Sequence, residues 1–106
     1  MDDLPNYRDL PYRWEYTFDC PVGVWRARLD AKAWGKQKNI LLYFSEGETA
    51  KKYCISLFKT SSYGPEEDGV GFRHIGQPGQ LFELETAQTR TGRTKLISAK
   101  TLPEQG

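Results

Sequence analysis

The single histidine, His74, and the two cysteines, Cys20 and Cys54, are the side chains in this sequence best suited to proton transfer, nucleophilic attack or metal ligation. Their number and spacing argue against all three. One imidazole excludes any mechanism that needs two within a chain, and His74 falls on the apolar side of a short alternating stretch, Val70, Phe72 and His74, where a structural ring is expected. The cysteines form no CxxC pair and have no partners at the spacing of a zinc site. Glu66, Glu67 and Asp68 follow one another between glycines and a proline, the pattern of a solvated loop rather than a metal site. The glycines match neither GxGxxG nor GxxxxGK[ST]. No catalytic residue, cofactor or metal is expected, and an enzyme is disfavoured.

The distribution of charge is more informative than its sum of +1. Between Cys20 and Tyr43 stand Arg26, Arg28, Lys32, Lys36 and Lys38 against the single acid Asp30. Between Arg90 and Thr101 stand Arg90, Arg93, Lys95 and Lys100 against none. Fourteen aromatic residues exceed what a core of this size consumes, so some should be exposed or line a pocket. Basic side chains beside exposed rings form the kind of groove in which phosphates meet Lys and Arg while bases stack. The sequence therefore points to a non-catalytic module that binds single-stranded nucleic acid or another polyanion. Arg26, Arg28, Lys32, Lys36, Arg90 and Arg93 are the candidate polyanion-binding residues, and Trp34 and Tyr63 the candidate stacking rings. The ordinary explanation of the same residues is that outward cations keep a sheet soluble and guard its edges.

Two other readings compete. Asp3-Leu4-Pro5-Asn6-Tyr7 is echoed by Asp9-Leu10-Pro11-Tyr12, and each proline biases the preceding leucine toward extended geometry. Such an arm could dock a protein partner or a second copy of the chain in a homo-oligomer, or simply lie along its own domain. Alternatively, Ala27, Ala31 and Ala33 on one face of a strand leave room for a small apolar ligand inside a barrel.

The elements that would position these residues are strands. Ile40 to Phe44 is an unbroken apolar run, which a strand covered on both faces can bury. Tyr53, Ile55 and Leu57 then alternate with Lys52, Cys54 and Ser56 after the polar link Ser45-Glu46-Gly47-Glu48, predicting a central hairpin. Arg13 to Asp19 alternates with Trp14, Tyr16 and Phe18 on one face and reads as a first strand. In Val24 to Trp34 alternation puts Trp25, Ala27, Leu29, Ala31 and Ala33 on one side and Arg26, Arg28, Asp30 and Lys32 on the other. Helix formers leave a short helix near 24–34 as the alternative. Short strands follow at Val70 to His74, Gln80 to Thr86 and Thr94 to Leu102, the last two joined through Thr89 to Thr94.

Six or seven closely spaced strands predict an all-β, mainly antiparallel fold: a small meander barrel or a sandwich. At 106 residues it is one domain, 13–102, preceded by an extended arm, 1–12, and followed by a tail, 103–106. The start carries no charged region followed by an apolar stretch, and the longest apolar run is five residues, so no export and no membrane span are expected. Free thiols in a cytoplasmic protein follow.

Overall fold

A computed structural model describes residues 5–36, 39–57 and 78–103. Five strands lie within them: β1, Gly23–Trp34; β2, Ile40–Glu46; β3, Lys52–Leu57; β4, Leu81–Gln88; and β5, Thr94–Leu102. They form one antiparallel sheet of order β3-β2-β1-β4-β5. The all-β expectation holds, and 24–34 is strand rather than helix. The sheet is open rather than a closed barrel, because β3 and β5 stand at its two ends and do not pair with each other. The strand expected around Val70 to His74 lies outside the described residues, as do Tyr63 and the acidic run Glu66 to Asp68.

One face of the sheet carries the larger core. Trp25, Ala27 and Leu29 of β1 meet Ile40, Leu42 and Phe44 of β2, Tyr53 and Ile55 of β3, Phe82 and Leu84 of β4, and Leu96 of β5. The rings interlock edge to face: Trp25 and Tyr53 have centroids 5.2 Å apart, and Phe44 and Phe82 6.1 Å. In that geometry the positive edge of one ring meets the negative face of the next. Trp25 Nε1 donates to buried Thr86 Oγ1 at 2.9 Å, which in turn donates to the Pro21 carbonyl at 2.6 Å, so the indole enters the core with its polar atom satisfied.

Halfway along β1 the faces exchange. Leu29 pairs with Phe44 but Ala31 pairs with Tyr43, leaving Asp30 as the extra residue of a bulge. Because side chains alternate with period two, one inserted residue sends everything beyond it to the opposite side. Ala31 and Ala33 leave the inner face, and Lys32, opposite Leu42, takes their place with only 6% of its surface exposed. The unbroken nine-position alternation expected from sequence is thus corrected at Asp30. The alanines do not line an interior cavity; they sit beneath the N-terminal segment.

That segment explains why Ile40 to Phe44 is apolar throughout. Trp34 N donates to the Pro5 carbonyl at 2.8 Å where β1 extends past the end of β4, and the chain then crosses the outer face of β1 and β2. Leu10 is buried there with Ala31, Ala33, Leu41, Tyr43 and Cys54, while Tyr7 and Tyr16 pack beside them. At the far side Thr17 pairs with the free edge of β3: its N–H donates to the Lys52 carbonyl at 3.1 Å, and its carbonyl accepts from Cys54 N at 2.8 Å. We call residues 5–17 the strap. It occupies backbone groups on the β3 edge that faces away from β2, an edge with no other strand among the described residues.

The strand expected at Arg13 to Asp19 is replaced by a 3-10 turn at Arg13–Glu15 and the single bridge at Thr17. The cause is local. Arg13 Nη1 folds back to the carbonyls of Arg8 and Leu10 at 3.2 and 3.1 Å, and Arg13 N donates to the Leu10 carbonyl, which bends the chain where a strand would run straight.

Candidate functional site

The crossing of the strap over β2 and β3 leaves a cavity of about 390 Å³ lined by Tyr7, Arg13, Trp14, Tyr16, Thr17, Phe18, Leu41, Tyr43 and Cys54. That volume is in the range of small-molecule sites. Two smaller clefts adjoin it. One, about 320 Å³, runs between β3 and the β4–β5 hairpin past Phe18, Asp19, Ser56 and Arg93; the other, about 230 Å³, runs past Tyr7, Phe18, Lys36 and Asn39. Phe18 borders all three and is 58% exposed, and Trp14, on the first, is 79% exposed.

Local folding fixes each wall. Tyr16 is held by its hydroxyl, which donates to Asp30 Oδ2 at 2.8 Å, and its ring meets that of Tyr43 edge-on at 5.0 Å. The Asp30 carboxylate, set free of strand pairing by the bulge, also accepts from Ser45 Oγ. Burial, then the bond to Asp30 and its charge, push the Tyr16 hydroxyl well above the ordinary phenol range. Burial likewise raises Tyr43. Lys52 Nζ bonds Glu15 Oε1 at 2.6 Å and lies over the Tyr16 ring, tying the strap to β3 at the surface.

Arg13 is the cation of the cavity. Its guanidinium stacks on Trp14 at 4.5 Å from the ring centroid and approaches Tyr7 at 6.0 Å. Nη1 is spent on two carbonyls, while Nε is shut off from solvent and has no acceptor among the described residues.

The thiols are not set up for nucleophilic chemistry. Burial pushes Cys54 up to about 12 and Cys20 up to about 11, so both are thiols at neutral pH and lack the thiolate that attacks. Both are free cysteines, and Cys20 Sγ lies 3.7 Å from the Cys54 carbonyl. Among the described residues no group of three His, Cys, Asp or Glu side chains is placed to hold a metal ion.

The residues expected to bind a polyanion do not share one surface. Arg26 and Arg28 are exposed on the outer side of β1, where Arg26 Nε faces Glu83 Oε2 at 4.0 Å and Arg28 donates to the Gly79 carbonyl. Lys32 is turned inward by the bulge, a correction to the expected outward face. Arg90 is exposed in the hairpin that joins β4 and β5, remote from Arg28, which pairs with the opposite end of β4. Trp34 is half-buried against the inner core rather than presented as a stacking ring, and Tyr63 lies outside the described residues. Of the set, Lys36 and Arg93 each line one of the two smaller clefts that meet at Phe18.

Arg13, Trp14 and Phe18 were missed as site residues because Trp14, Tyr16 and Phe18 alternate like the buried face of a strand. The available signal was density: Tyr7, Tyr12, Trp14, Tyr16 and Phe18 fall within twelve residues. Leu10, the second leucine of the expected docking arm, is buried against its own sheet, and Leu4, the first, lies outside the described residues. No protein-family model, curated protein or solved structure matches this chain.

Proposed function

We propose that the protein is a non-catalytic binding module whose ligand is a polyanion, single-stranded nucleic acid in the first instance, lying across the strap side of the sheet. The observation that carries the reading is the meeting of three recesses at exposed Phe18, each with its own cation: Arg13, Lys36 and Arg93. Exposed rings flanked by Lys and Arg at this spacing suit a strand whose bases stack while its phosphates are neutralised. The contact set is narrower than the sequence suggests: Lys32 is turned to the inner face, Arg26, Arg28 and Arg90 line none of the three recesses, and Trp14 and Phe18 take the stacking role.

Fluorescence anisotropy with a mixed-sequence labelled oligonucleotide tests this. The parent should bind at low salt and weaken as salt rises, and Lys36→Glu with Arg93→Glu should weaken it further. Absence of binding below roughly 100 μM at low salt, where even non-specific association is normally seen, overturns the reading.

A further inference from the structure

A second exposed surface lies where the strap leads into β1. Six large apolar or aromatic side chains stand exposed among the described residues, and five of them, Tyr12, Trp14, Phe18, Val22 and Val24, fall within residues 12–24. Trp14 and Phe18 border the recesses described above, but Val22, 63% exposed, and Val24, 65% exposed, line none of them. Exposed apolar side chains gathered at one place mark an interaction surface.

The passage they flank is short and bent. Thr17 makes the last bridge of the strap to β3, and Gly23 is already paired with Thr86 of β4, so residues 18–22 alone connect the two. Within them the Cys20 N–H donates to the Phe18 carbonyl at 3.0 Å, a three-residue turn centred on Asp19, and the Pro21 carbonyl is fixed by Thr86. The turn folds the strap back onto its own sheet. Opened to extended chain, it directs the strap away.

We propose that two copies of the chain exchange straps, each N-terminal segment docking on the sheet of the other. The seat is complementary to residues 5–17 whichever copy supplies them: Leu10 enters the same apolar cluster, Pro5 accepts from Trp34, Thr17 bridges β3, and Tyr16 bonds Asp30. Because these contacts are identical in the closed and exchanged forms, they cancel in the comparison. The balance is then set by the turn at Asp19, by the entropy of association and by what the two hinges bury against each other. In the exchanged pair the hinges run side by side about a twofold axis, and Val22 and Val24 of one copy cover those of the other. A short tether holds a segment at an effective concentration on the order of 1 mM, so exchange competes with self-docking as the protein approaches that concentration. The exchange is independent of the polyanion site, whose Lys36 and Arg93 lie outside both strap and hinge.

Sedimentation equilibrium of the full chain, refolded at each concentration from micromolar to about 2 mM, tests this. The parent should be monomeric when dilute and dimeric as it nears 1 mM, the order of the tether's effective concentration. Deletion of Asp19 leaves too little chain for the strap to turn back and should give a dimer already at roughly 10 μM, far below that concentration. Three glycines inserted after Asp19 should give a monomer throughout. Val22→Lys with Val24→Lys should weaken self-association about tenfold or more, since their burial in the dimer is lost. A nitroxide attached to Arg8→Cys in one copy, refolded with an isotope-labelled parent, should broaden the Leu41 and Tyr43 amides of the labelled copy. A parent that stays monomeric to the highest concentration, a dimer whose labelled amides remain sharp, or an Asp19 deletion that folds as a monomer each overturns the proposal. Oligonucleotide binding by a chain that does not dimerise removes only this proposal, and dimerisation without oligonucleotide binding removes only the polyanion reading.

Discussion

The hydroxyl of Tyr16 reaches 2.8 Å to Oδ2 of Asp30, joining the strap to the one residue of β1 that strand pairing leaves out. The bulge thus does two things. It reverses the faces of the second half of β1, and it offers a carboxylate to the segment that covers the reversed half.

Tyr16→Phe removes that bond while keeping the ring against Tyr43. A hydrogen bond to a charged acceptor contributes about 1.5–3 kcal/mol when buried, and this one is half-exposed, so a loss of about 1 kcal/mol is expected. Urea unfolding measures it. An unchanged midpoint would mean that water replaces the hydroxyl at no cost and that the strap is held by Leu10 and the Thr17 bridge alone.

Phe44→Asp addresses the central strand. Phe44 is 2% exposed and faces Leu29 and Tyr53 across the sheet, away from the inward Lys32 that stands opposite Leu42. Placing a carboxylate among the inner-core apolar side chains costs several kcal/mol, comparable with the whole stability of a domain this size. The variant should show no cooperative thermal melt; a parent-like melt would refute the burial of β2.

Ala50 adopts φ 60° in the β2–β3 turn, where its N–H closes a bond of 3.0 Å to the Glu46 carbonyl. A side chain there crowds the following carbonyl, a strain that glycine avoids, offset in part by glycine's greater freedom when unfolded. Ala50→Gly should raise stability by about 0.5–1 kcal/mol. A lower melting temperature would show that the turn relaxes without strain.

The buried thiols set an alkaline limit. Cys54 and Cys20 are raised in the folded chain, so both states hold the proton below about pH 9 and stability is unaffected there. Above it the unfolded chain releases protons that the folded chain retains, and stability falls as pH climbs toward 11 and 12. Cys54 alone should contribute a slope of about 1.4 kcal/mol per pH unit, with a smaller, solvent-screened share from Cys20. Tyr16 and Tyr43 act in the same direction above pH 10. Urea midpoints at pH 7, 9, 10 and 11 should trace this decline and Cys54→Ala should flatten it. A level profile through pH 10.5 in the parent would contradict the burial of Cys54.

Much of the sheet was legible in the residues themselves. Ile40 to Phe44 announced a strand buried on both faces, and the Tyr53, Ile55 alternation and the Thr94 to Leu102 stretch fell where strands form. What alternation could not reveal was Asp30: a bulge leaves no compositional mark, so Lys32 read as a surface cation and Ala31 as a lining of the interior. The strap was hidden for the opposite reason. Trp14, Tyr16 and Phe18 carry a strand's pattern, but the bend is imposed by Arg13 reaching back to carbonyls, an interaction that depends on geometry rather than on residue type. The site inherits both errors, since it lies where strap and reversed strand meet.

The strap joins residues early in the chain to strands formed much later: Asn6 to Trp34, and Thr17 to Tyr53. Its docking surface is built by β1, β2 and β3, so the strap can seat only once these strands have paired. During synthesis this aromatic-rich segment emerges before the strands that form its seat. For that interval Leu41 and Tyr43 have no cover, and the free edge of β3 has no partner. The chain's window of vulnerability to misassociation is set by the arrival of its own N-terminal residues.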